Sequence, residues 1–392
     1  MRRHAKFLAI LLAAALLLGL AACGATEPPA EPETTAAQPA PTEAPALFEP
    51  IAADVIVVGI LHITSTKEDS GYTYAHHKGF MDMAQALGLR DEQLVIKDNI
   101  PDEDVTKTQT ALQELVDAGC DIIFATSYAY MDSMERFAEE YPDIIFSHCS
   151  GSKSNDTNFN NYFGRIYQAR YLAGIAAGLK MKEAGEPLAG YVAAKGSSNS
   201  EVTGGVNAWA LGIQSVYPEA QVKVKVTDDW YNPEKEAAAA QALIDAGCFV
   251  IGQHCDTSIP QIKAQDNKVF GCGYNSDMTK FAPDAHLTAP VWNWGAYYTA
   301  AVEAVIAGTW TPANYFGGMA QGLVDISPLN EKAVVPGTAE AIEEAKLKII
   351  EGSLAVFDAG LTKADGTAIG HALDDGEITG GINYYIKGVE LL

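Results

Sequence analysis

Residues Leu115–Ser127 read LVDAGCDIIFATS, and residues Leu243–Cys255 read LIDAGCFVIGQHC. Over the first nine positions of the two copies, only Asp121 against Phe249 differs in kind. Each copy is the end of a helical pattern, DVTKTQTALQELVDAG in one and NPEKEAAAAQALIDAG in the other, running into a β-branched apolar stretch. Gly119 and Gly247 fall where such a helix would end in the left-handed conformation that glycine adopts at least cost. A junction repeated in this detail predicts two lobes of the same topology.

The rest of the chain extends the pattern in both directions. Apolar strand-like runs occur at DVIVVGIL, QLVIKD, CDIIFATS, DIIFSHC, LAGYVAA, QVKVKVT, CFVIGQH, KVFGCGY and HLTAPVW, with helical periodicity between most of them. Alternation of this kind means βαβ units and an α/β fold of doubly wound parallel sheets. Ligands of such sheets bind beyond the carboxyl ends of the strands. That rule gathers the loops at 66–74, 127–132, 253–258 and 274–277 around one cleft, together with Trp230 and its neighbours and the segment 291–295.

A chain of 392 residues with 48% hydrophobic content is large enough for two domains. Its formal charge of −24 excludes nucleic acid as a partner, because phosphate binding needs clustered Lys and Arg. The same balance disfavours an anionic substrate held by a basic clamp. At the N-terminus, Arg2, Arg3 and Lys6 precede FLAILLAAALLLGL, whose 14 residues suit a signal-peptide core and are too few to span a bilayer. LAAC, ending at Cys23, resembles the lipobox of bacterial lipoproteins, which implies a diacylated Cys23 as the mature first residue. Seven of the 18 prolines fall in the next 27 residues, a composition that suits a tether and cannot bury a core. Five cysteines remain, Cys120, Cys149, Cys248, Cys255 and Cys272, with no C-x-x-C spacing. They read as small core hydrophobes, with at most one disulfide.

Further motifs carry a resemblance. The loop DSGYTYAHHKG, the helix YQARYLAGIAAG, the stretch GVNAWALGIQSVYPEAQVKV, WYNPEKE before a helix and GYNSDMTKFAP are together similar to the basic membrane protein family. These are substrate-binding lipoproteins of ABC transporters, and the family includes purine nucleoside receptors. TSYAYMD, QHCDTS and WGAYY bring the chain nearest to the branch with adenine-type nucleobase binders. The resemblance implies a type I periplasmic-binding fold with three hinge strands. On that template residues 1–22 are signal peptide and 23–50 lipidated Cys and tether. Residues 51–166 with 286–318 form lobe 1, and 167–285 with 319–392 form lobe 2.

The family's paired rings around the base fall here on Tyr72 and Trp230, with Thr73 and Tyr128 on neighbouring cleft loops. Tyr74 and Tyr231 read as helix-start packing. His254 and Asp256 stand on the second lobe's cleft loop, where a carboxylate can accept from an exocyclic amine. Trp292 and Trp294 alternate on a strand end, so at most one of them should face the cleft. His76 and His77 read as solvated or capping residues. In GYNSD, Asn275 stands where nucleoside-binding relatives have a carboxylate for the ribose, although Asp277 survives. PVWNWG carries no cation where those relatives have one. A free base such as adenine is therefore the expected ligand, with Asp256 or Asp277 reading its edge. A nucleoside receptor and a ligand sensor that signals to a membrane partner are the alternatives. The partners implied are the ABC permease and ATPase and, through the lipid, the extracytoplasmic face of the cell membrane. The chain is expected to be a monomer without cofactor or metal. No G-x-S-x-G elbow, H-E-x-x-H pair or Walker loop supports an enzyme.

Overall fold

The computed structural model describes residues 47–392. The segment read as signal peptide, Cys23, and the segment read as tether up to residue 46 lie outside the described residues.

The first lobe is built from β1 (Val58–Leu61), α1 (Gly71–Leu87), β2 (Leu94–Lys97), α2 (Val105–Asp117), β3 (Ile122–Ala125), α3 (Met131–Glu140), β4 (Ile145–Cys149) and β5 (Phe159–Gly164). The second contains α4 (Ile166–Ala184), β6 (Leu188–Ala193), α5 (Ser200–Val216), β7 (Gln221–Val226), α6 (Pro233–Asp245), β8 (Val250–His254), α7 (Ile259–Asp266), β9 (Phe270–Cys272) and β10 (His286–Thr288). The chain then returns through β11 (Pro290–Trp292), α8 (Trp294–Ile306) and β12 (Tyr315–Gly317). It crosses once more through β13 (Val324–Ile326) to α9 (Thr338–Ile350) and β14 (Val389–Leu391).

The two sheets run β12-β5-β4-β3-β1-β2 and β10-β9-β8-β6-β7-β14. Every ladder in them is parallel. Without their last-arriving edge strands, β12 and β14, the orders are superimposable, with β1 to β5 matching β6 to β10 in turn. β11 pairs antiparallel with β13 in a small bridging sheet. The passages between the lobes are at Arg165, after Thr288, and between β12 and β13. His286–Thr288 pairs with β9, so these three residues stand in the second sheet, beyond the boundary at 286 expected from the sequence.

The repeated junction is repeated in atomic detail. The Gly119 amide donates to the Val116 carbonyl (2.9 Å) and the Cys120 amide to Leu115 (3.3 Å). In the second lobe Gly247 donates to Ile244 (2.9 Å) and Cys248 to Leu243 (3.1 Å). This is the Schellman closure, and it needs the left-handed φ found at Gly119 (78°) and Gly247 (87°). The cysteine that follows packs in both lobes against a glycine on the neighbouring strand. A Cβ on Gly59 of β1 would meet the Cys120 sulfur at 2.9 Å, and one on Gly190 of β6 would meet the Cys248 Cβ at 3.1 Å. All five cysteines of the body are buried and unpaired.

Candidate ligand-binding site

Between the lobes lies a cavity of about 390 Å³, within the range of roughly 300–1,000 Å³ common for small-molecule sites. The first lobe contributes Thr64, Glu68, Tyr72, Tyr128 and Phe163 to its wall, and the second contributes Glu201, Trp230, Asp256 and Tyr274.

Tyr72 is held by the way α1 begins. Gly71 opens the helix at φ 87°, and the half-buried Tyr72 ring meets the His76 ring edge-on at 4.4 Å. Its hydroxyl donates to the Cys149 sulfur at 3.3 Å. Thr73 is fixed beside it, its hydroxyl accepting from Thr64 Oγ1 at 2.8 Å. On the opposite wall, Asn232 caps α6 by accepting from the Lys235 amide, and Pro233 occupies the first helical turn. That rigid start sets the Trp230 loop, whose carbonyl also accepts from the Asp256 amide at 2.9 Å. Trp230 is therefore backed by His254, ring to ring at 5.7 Å.

The polar lining is acidic. Glu68, Asp102, Glu201 and Asp256 all reach the cavity, and among the described residues no Lys or Arg lines it. Asp256 accepts from Asn275 Nδ2 at 2.8 Å. Burial, reinforced by Glu236, Glu68 and Glu201, pushes its carboxyl well above the usual carboxylate range. Burial raises Glu201 to about 7, with Arg170 acting against the rise. Arg170 is buried behind the wall, its guanidinium 4.1 Å from the centre of the Tyr274 ring. Aromatic walls with carboxylate oxygens suit a flat ligand that is neutral or cationic and offers N–H donors.

Of the residues expected from the sequence, the cavity brings together Tyr72, Thr73, Tyr128, Trp230 and Asp256. Four others do not line it. His254 is fully buried behind Trp230, Asn275 is buried and holds Asp256, and Asp277 turns to solvent and accepts from Thr279. Trp292 is buried and donates from Nε1 to the Tyr274 hydroxyl at 3.2 Å.

Three details of the sequence reading are corrected. Trp292 and Trp294 share a side, stacked at 4.4 Å and 12°, because β11 ends at Trp292 and Trp294 already opens α8. His76 is neither solvated nor capping; it is buried inside α1, stacked on Trp294 at 4.3 Å, with Nδ1 2.6 Å from the Tyr298 hydroxyl. Tyr231, read as packing, lines the cavity and is half exposed. Glu68, Phe163 and Glu201 were not foreseen. Glu201 had a usable signal, since the loop after β6 ends at the cleft by the same strand-end rule as the others.

The family model described as ABC transporter substrate-binding protein PnrA-like matches residues 56–357. The chain belongs to that family. A purine-binding protein of Brucella abortus (strain 2308) is 36% identical to it over 343 residues, 86% of this chain and 94% of that protein. A Haloferax volcanii protein that carries the name of a glucose-binding ABC-transporter component is 36% identical over 257 residues, 65% of this chain and 62% of that one. Among solved structures, a solute-binding protein of an ABC transporter system from Conexibacter woesei superposes with a TM-score of 0.64 at 18% identity. The alignment covers 76% of this chain and 97% of that one, and it supports the type I periplasmic-binding fold. As a PnrA-like substrate-binding protein, the chain is an extracytoplasmic solute receptor that serves an ABC permease and has no enzymatic activity. No helix among the described residues is long and apolar enough to cross a membrane.

Proposed function

We propose that this PnrA-like protein is a lipid-anchored receptor that captures a free purine base, adenine-like, and delivers it to the permease. The observation that carries the reading is that Tyr72 from the first lobe and Trp230 from the second line one cavity. A base between two rings gains about 1 to 3 kcal/mol per stacking partner. Rings carried on different lobes also make closure depend on the ligand that bridges them. The name of the Brucella relative points the same way.

A base is favoured over a nucleoside by two positions that the nucleoside-binding relatives fill differently. Asn275 brings an amide where those relatives have a carboxylate, and it is buried with its Nδ2 donating to Asp256. Hydrogen bonds to a charged acceptor are roughly twice as strong as neutral ones. The return segment PVWNWG carries a buried Trp292 and no cation. Asp256, which lines the cavity, takes the base-edge role in preference to Asp277.

The test is competition between adenine and adenosine at equal concentration, within a calorimetric panel that includes glucose and amino acids. Adenine should win by at least about tenfold, the loss of roughly one charge-assisted hydrogen bond. Preferential capture of adenosine would make the chain a nucleoside receptor, and capture of glucose alone would remove the purine reading.

A further inference from the structure

Among the cavity's four acids, Glu201 and Glu68 are the two that no side-chain hydrogen bond engages, and Glu201 is the one set on a helix. Asp256 is engaged by Asn275 and Asp102 by the Ser127 hydroxyl. His254 Nε2 stands 3.5 Å from Glu201, and that contact is not a hydrogen bond, since both ring nitrogens of the fully buried His254 are unpartnered. The side chain nevertheless has only 26% of its surface open, in the first turn of α5, which Asn199 caps firmly on the Val202 amide. Arg170 does not satisfy it either: its Nη1 is taken by the Tyr191 hydroxyl and the Gln253 carbonyl, and its Nε and Nη2 make no hydrogen bond. Once a ligand fills the cavity and excludes water, such a carboxyl is costly unless the ligand supplies the missing donor.

Purines differ in the edge they would bring to such a group. Adenine presents an exocyclic N–H beside a ring-nitrogen acceptor, which a carboxylic acid or an amide complements. Guanine presents two N–H donors side by side, which a carboxylate complements. Urate is an anion at neutral pH, and a wall of acids repels it. We propose that Glu201 reads the hydrogen-bonding edge of the bound base, admitting amino-substituted purines and excluding oxopurine anions. This rests on the purine reading given above and adds to it the residue that sets selectivity.

The experiment is competition of adenine, guanine and urate for the full chain, its Glu201→Gln variant and its Glu201→Ala variant. The wild type should take both aminopurines and exclude urate by at least about tenfold. Glu201→Gln should keep adenine within about threefold and lose guanine by about tenfold or more, because the amide offers one acceptor where guanine needs two. Glu201→Ala should weaken both aminopurines by about tenfold or more. A change of selectivity in the isosteric Gln variant is an effect that general loosening of the fold would not produce. An adenine-to-guanine ratio unchanged in Glu201→Gln overturns the proposal, as does tight binding of urate by the wild type. If the wild type captures no purine at all, the purine reading itself falls and this inference falls with it. That outcome is recognisable because it appears before any variant is compared.

Discussion

Gly71 and Asp256 meet across the cleft so closely that a Cβ on Gly71 would stand 2.7 Å from the Asp256 carbonyl oxygen. One residue opens the first helix of the first lobe, and the other lies on the cleft loop of the second. Lys280 ties the same rim by pairing with Asp69 at 2.8 Å. The lobes are thus in contact at the mouth of the cavity. The atom that blocks a methyl at Gly71 belongs to the backbone, which cannot swing aside. Gly71→Ala should therefore hold the lobes apart and weaken ligand binding by about tenfold or more, about 1.4 kcal/mol. The left-handed φ of 87° at this position adds about 1–2 kcal/mol of backbone strain to the variant. Calorimetry, with small-angle scattering of the ligand-saturated protein, would show a weaker complex that stays more extended.

Trp230→Ala should weaken purine binding by about 1 to 3 kcal/mol. Tyr74→Ala should cost less, because Tyr74 does not line the cavity. Titration calorimetry on the two variants decides the order, and equal losses would remove the stacking role from Trp230.

Gly119→Ala and Gly247→Ala make a matched pair. An added Cβ meets nothing within 4 Å at either position, so the whole penalty is conformational. Each should cost about 1–2 kcal/mol in chemical denaturation, with equal losses in the two lobes. Purine affinity should not change.

Acid should weaken the fold through His62. Its ring is fully buried with both nitrogens unpartnered. Burial, helped by His77 and opposed by Asp98, lowers its pKa from 6.5 to about 3. Between those two values the unfolded chain binds a proton that the folded one refuses. The contribution of His62 is thus complete above pH 6.5 and is lost progressively as pH falls. The slope approaches about 1.4 kcal/mol per pH unit. His62→Leu removes a titrating group without breaking a hydrogen bond, so denaturation between pH 6 and about 4 should show a shallower loss than in the wild type.

If Cys23 carries the lipid, Cys23→Ser should release the protein from the membrane fraction, since no helix among the described residues is long and apolar enough to cross a membrane. Retention of the variant in washed membranes would assign the anchoring to something else.

The lobes were legible because their signals are local. The Asp-Ala-Gly-Cys junctions need only a short helix, a glycine and an apolar strand, and all three are contiguous in sequence. β5, FNNYFG, escaped notice because Asn160 and Asn161 break its apolar run, and β12 to β14 are three residues each, too short for any period to show. Loop positions at the cleft could be read from the strand-end rule, which gathers the loops carrying Tyr72, Trp230 and Asp256, while the pairing of the two rings came from the family resemblance. Which side chains on those loops turn inward could not. That depends on long-range packing such as the stack of His76 on Trp294 and Trp292, which forms only when α1 meets the β11–α8 segment from the far end of the chain. Glu201 escaped for a different reason, since an acid in the first turn of a helix is ordinarily there for the helix dipole.

The cysteine-on-glycine contacts also bear on redox chemistry. Burial raises the thiols of Cys120, Cys248 and Cys272 to about 12, and Cys149 and Cys255 are pushed up as well. A thiol held protonated under a strand is a poor nucleophile, so the folded body can stand in an oxidising compartment with its sulfurs free. The unfolded chain has no such shelter. After export, folding races against random cross-linking, and the protein depends on folding first.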